Sequence, residues 1–169
     1  MDIPDRQDAE STIRRIQELL SSGIFDQANS RHVLQQSAFV KLMVCLRDLL
    51  FKCEKYARRI DFTDDVLMNA YVTDVTGAIT AVRDACCHIN SFKKLFDDHG
   101  NRGSYMVAYG KVNLAKIDDL ELKSDYADDI AVFYGVNRLY FKRHIVRAFE
   151  EACGLLGPLI QSARLGPTS

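Results

Sequence analysis

The sequence predicts a mostly α-helical fold, a four- to five-helix bundle with a small antiparallel β insertion at about residues 104–134, before the last helix. Two observations carry this expectation. Apolar residues recur every three or four positions along four separate stretches, the period of a helix with one buried face. Between about 104 and 134 that period gives way to short β-prone runs separated by turn residues. Long helices with one apolar face each must bury those faces together, and 169 residues suit one domain with a single core.

Residues 1–9 read as a loose polar lead-in. A first helix is expected over about 10–21, with Ile13, Ile16, Leu19 and Leu20 on one face and Gly23 past its end. Residues 24–30 are a linker, and Ser30 is a candidate cap for a long second helix over about 31–60. Phe39, Met43, Leu46, Leu50, Cys53, Ala57 and Ile60 form its inward stripe. Thr63 followed by Asp64 and Asp65 reads as the capped start of a third helix reaching about residue 95. A turn-rich loop over 97–104 ends it. The strand candidates are 105–109, 112–117, 120–123 and 130–134, with turns at Gly110 and at Asp118-Asp119. The last helix is expected over about 136–159, with Ile145, Ala148, Phe149, Ala152, Leu155, Leu156 and Leu159 inward, and 164–169 reads as a loose tail.

The totals narrow the function classes. A formal net charge of -1 gives no global attraction to polyanions, so a nucleic-acid site must be a local patch. No apolar run approaches the roughly 18 residues that a membrane span needs. The opening Met1 to Arg6 has no basic region followed by an apolar one, so no secretion signal is expected. Five cysteines without paired ligand spacing predict reduced thiols and a cytoplasmic chain. Cys86 and Cys87 precede His88, but neighbours on a helix point about 100° apart, so no metal and no cofactor is expected there.

One constellation has a chemical reading: Arg83, Asp84 and, four positions after it, His88. A guanidinium is always charged and matches phosphate geometry with paired donors. An imidazole accepts and returns a proton near neutral pH. Together they suffice to cut RNA without metal: the 2'-hydroxyl attacks the neighbouring phosphorus, His88 moves protons and Arg83 stabilises the added negative charge. Asp84, one turn before His88, is placed to orient the ring. On a straight helix Arg83 and His88 lie roughly 140° apart, so the arginine reaches round, the helix bends, or a second subunit supplies the partner. Beside them Thr73, Thr76, Gly77 and Thr80 form a small polar face that suits close approach by a helix or a site.

The densest basic cluster is Arg138, Lys142, Arg143, His144 and Arg147, candidates together with Arg102 for tracking an RNA backbone. A solvated helix face with intrahelical pairs such as Arg147 to Glu151 accounts for the same cluster without a ligand.

Arg, then a polar Asp, then three residues and His, late in a helix of a small bundle, resembles the signature of the HEPN superfamily. The resemblance covers roughly residues 31–156. It implies a helical bundle that homodimerises and brings two motifs into one cleft. The implied activity is a metal-independent endoribonuclease of toxin or phage-defence type, restrained by an antitoxin or another protein partner. Arg83 is then the phosphate ligand, His88 the general acid/base and Asp84 the polar residue after the arginine. The alternative is a non-catalytic bundle that binds a protein partner through the Thr73-Gly77-Thr80 face or the β insertion.

Overall fold

The structure is a computed structural model and describes residues 1–88, 91–95, 103–117 and 120–162. Among these residues there are four α-helices, α1 (Ile3–Ser21), α2 (Gln35–Tyr56), α3 (Val75–Cys87) and α4 (Arg147–Ser162). Five strands lie between α3 and α4: β1 (Met106–Tyr109), β2 (Val112–Ile117), β3 (Leu120–Ser124), β4 (Ile130–Tyr134) and β5 (Asn137–Tyr140). The expected mostly helical bundle is thereby corrected to an α+β fold with two antiparallel sheets, β1-β4-β5 and the hairpin β2-β3.

The sheet is part of the core, which is why a bundle with an insertion does not describe it. Strand side chains alternate between faces. Val132, Tyr134 and Leu139 join the main core with the helices, while Ala131, Phe133 and Tyr140 join a second cluster with Ala108 and Leu122. Covered on both sides, β4 and β5 carry almost no polar alternation, and β5 reads locally like the start of a helix. The last helix was expected from about 136. Instead Gly135, at φ 57, opens a two-residue turn that folds β5 back on β4, pairing Tyr134 with Asn137 and Ala131 with Tyr140.

The helix boundaries shift for local reasons. Residues 1–9 are no loose lead-in, because Asp2 caps α1 by accepting from the Asp5 amide at 2.8 Å and Pro4 sits in its first turn. The first turns of α1 then grip α2: Lys52 bonds Asp8 at 2.7 Å, and Lys55 bonds Asp5 at 2.7 Å. Thr63 does not cap α3; Asp65 sits at φ 60, outside the helical region. Asp74 is the cap instead, accepting from the Gly77 amide at 2.6 Å while Arg59 holds its two oxygens at 2.9 and 3.0 Å. Helix three is therefore 13 residues, not about 30.

A π-helical turn (Phe141–Val146) joins β5 to α4. Asp129, buried, secures it by accepting from the amides of Lys142 at 2.8 Å and Arg143 at 3.2 Å and from the Arg143 guanidinium at 2.9 Å. His144 is fully buried just beyond. Its Nδ1 accepts from the Tyr140 amide at 3.1 Å, so Nε2 carries the proton and donates to the Asp64 carbonyl at 3.0 Å.

Burial holds the His144 imidazole below its usual 6.5, with the Asp64 carbonyl opposing. The unfolded chain takes up that proton near pH 6.5 while the fold resists it. Its contribution is therefore present above about 6.5 and lost as pH falls through the folded value. The thermal midpoint is expected to fall on going from about pH 7 to pH 5, and to fall less in His144→Gln; equal falls in a pH series of melts rule out His144 as the source. Among the described residues no helix is long and apolar enough to cross a membrane.

Candidate functional site

α3 buries Val75, Ala78, Ile79, Val82 and Ala85 against the core. Helical spacing leaves Thr76, Gly77, Thr80, Arg83 and Asp84 on the other side. Thr76 is anchored by donating to the Ile60 carbonyl at 2.5 Å. The small residues leave a cleft of about 290 Å³ between α3 and α2, bounded by Arg47, Phe51, Arg59, Tyr71, Thr80 and Lys93. A methyl at Gly77 meets only ordinary contacts, 3.4 Å from Asp74 and 3.5 Å from Val72, so crowding does not demand the glycine.

The expected constellation lies where α3 ends. The Arg83 side chain is about one-third exposed, and its Nη1 donates to Asp84 Oδ1 at 3.0 Å. Lys93, in a turn of 3-10 helix (Phe92–Lys94) after α3, donates to the other Asp84 oxygen at 2.5 Å. Burial pushes the Asp84 carboxyl up, but the Lys93 and Arg83 hydrogen bonds outweigh it and hold the group below the usual range. Arg83 Nε is buried without a hydrogen-bond partner, a rare condition for a native polar atom.

His88 caps α3 in extended backbone (φ -115, ψ 115), with its amide donating to the Asp84 carbonyl at 3.1 Å. The helix thus stops before His88, and the 140° separation of a straight helix does not apply. The ring is exposed and makes no hydrogen bond or ion pair among the described residues. Asp84 does not orient it, because both carboxylate oxygens are held by Arg83 and Lys93.

The other candidates have separate fates. Arg102 lies outside the described residues. Arg138 is buried, bonding the Lys123 carbonyl and Asp125 at 3.0 Å each, with its guanidinium 4.5 Å from the Tyr140 ring. Arg143 is paired with Asp128 and Asp129 and lies 3.6 Å from the Tyr126 ring. Arg147 is paired with Asp64 and Glu151. Of this cluster Lys142 is exposed without a carboxylate partner among the described residues, and Arg147 is 43% exposed but paired. The basic cluster joins the β region to α4 and forms no open track.

Lys93, Arg47, Phe51 and Tyr71 escaped the sequence reading. Arg47 lies outside the apolar stripe expected for the second helix, and Lys93 falls inside the expected third helix. The available signal was the aromatic-basic run Phe92-Lys93-Lys94 directly after the motif. Among the described residues no three His, Cys, Asp or Glu side chains are grouped to hold a metal ion. Fold and site together define an α+β protein with a cation-lined, aromatic-rimmed cleft running to an Arg-Asp-Lys cluster. No protein-family model, no curated protein and no solved structure matches the chain.

Proposed function

We propose that this chain is a metal-independent endoribonuclease of the HEPN type, cutting single-stranded RNA or the loops of tRNA. The observation that carries the reading is the pinning of Arg83 and Lys93 by one carboxylate, Asp84, four residues before His88, whose exposed ring makes no hydrogen bond or ion pair among the described residues. Two held cations offer fixed positive charge where negative charge develops at phosphorus. The free imidazole accepts the 2'-hydroxyl proton, and the 2'-oxygen attacks the adjacent phosphorus. The 5'-oxygen then departs with a proton from an imidazolium, leaving a 2',3'-cyclic phosphate and a 5'-hydroxyl. The family likeness rests here on Arg83, Asp84 and His88, since the bundle is not the fold. The same proposal includes a homodimer with two such motifs, a cytoplasmic location, a toxin or phage-defence role and an antitoxin or other protein partner.

The test is cleavage of end-labelled total RNA by wild type and His88→Ala with EDTA throughout. Cleavage by wild type alone, with cyclic-phosphate ends, is the expected result. Equal cleavage by both proteins, or metal-dependent cutting that leaves a 3'-hydroxyl, overturns it. Cleavage by neither moves the weight to a non-catalytic module binding a protein partner. Val112 and Leu114 favour that second reading, as two large apolar side chains left exposed on strand β2 of the β2-β3 hairpin.

A further inference from the structure

The cleft between α2 and α3 contains groups that this mechanism does not use. Phe39, Phe133 and Phe149 are buried, whereas Phe51 is 50% exposed at the cleft and Phe92 is 62% exposed beside it. Both rings are braced. The Arg47 guanidinium lies 5.3 Å from the Phe51 ring centre. Phe92 meets the cleft residue Tyr71 edge-on at 5.6 Å, and Lys93 Nζ lies 5.7 Å from the Tyr71 ring. A braced ring loses little freedom when a second flat group lands on it.

The charges are distributed unevenly. Arg59 is taken up by Glu54 and Asp74 at one end of the cleft. Arg47 has no carboxylate partner among the described residues, and Lys93 and Arg83 share the single carboxylate of Asp84. Positive charge therefore remains between the two aromatic rings and toward Arg83. Exposed rings interleaved with under-paired cations are the recognition chemistry of single-stranded nucleic acid, whose bases stack while its phosphates are neutralised. A duplex cannot offer base faces to such a surface.

We propose that the cleft seats unpaired nucleotides of a single-stranded RNA, with bases stacked on Phe51 and Phe92 and a phosphate on Arg47 and Lys93. This rests on RNA being the ligand, as proposed above, but not on its being cut. Lys93, bonded to Asp84, joins the stacking surface to Arg83.

The experiment measures anisotropy of a fluorescein-labelled oligouridylate with His88→Ala protein, so that binding is read without cleavage. Phe51→Ala and Phe92→Ala, added singly to that background, are each expected to weaken binding by roughly 5- to 150-fold. Phe51→Tyr is expected to retain it, and Arg47→Ala to weaken it while lowering the salt slope by about 0.7. Both phenylalanines are half-exposed or more, so their variants should melt as the parent does. Unchanged affinity in both alanine variants, equal affinity for a duplex of the same length, or no binding by any form overturns the proposal. Normal stacking effects with no cleavage by wild type sink the catalytic reading alone. Cleavage that is indifferent to Phe51 and Phe92 sinks the cleft alone.

Discussion

Asp129→Ala is expected to lose about 3–5 kcal/mol of folding stability, the range for removing one partner of a buried ion pair. The carboxylate is completely enclosed and accepts from the amides of Ile130, Lys142 and Arg143 and from the Arg143 guanidinium. Alanine leaves those amides without their acceptor at the start of β4 and where β5 passes into the π-helical turn, and it leaves the guanidinium with the exposed Asp128 alone. Asp129→Asn keeps one acceptor oxygen but turns an amide NH₂ toward other donors, so an intermediate loss is expected. Urea unfolding should show a lower midpoint at an unchanged m-value. A loss below about 1 kcal/mol for the alanine variant contradicts the clamp.

Arg83→Ala is expected to lower kcat/KM for RNA cleavage by about 10²–10³-fold, the size seen when one preorganised donor to a developing charge is removed. The thermal midpoint should barely move. The side chain is about one-third exposed, its pair with Asp84 is the kind worth about 0–1 kcal/mol, and its Nε has no partner to lose. Asp84 keeps Lys93 in the variant. Arg83→Lys should recover only part of the rate, because an ammonium lacks the paired donors that fit a phosphate. Single-turnover kinetics beside a melt separate the alternatives. A rate loss that tracks a fall in midpoint points to a structural arginine, and an unchanged rate removes Arg83 from the site.

The site was legible in part. Arg83, Asp84 and His88 stood out because short-range spacing is written directly in the chain. Lys93 did not, because its meeting with Asp84 depends on where α3 stops, and that depends on the extended backbone at His88. The role expected for Asp84 failed for the same reason: a carboxylate one turn from the histidine was taken by two cations instead. Arg138 and Arg143 read as available charge because the sequence does not show that Asp125, Asp128 and Asp129 fold against them.

The sequence by itself determined the inward stripes of α2 and α4 apart from Ala57, which is exposed just past the end of α2, the β-prone character of about residues 104–134 and the position of the Arg-Asp-His motif. Each of these is a property of neighbours within a few residues, where helical and strand periods differ. Tertiary structure alone decided that Asn137–Tyr140 is a strand rather than a helix start, that Asp74 and not Thr63 opens α3, and that the basic cluster is consumed internally. Those outcomes turn on partners distant in the chain: β4 beside β5, Arg59 on Asp74, Asp125 on Arg138. A doubly buried strand loses the polar alternation that would announce it, and a cation's availability is set by which carboxylate the fold brings within reach.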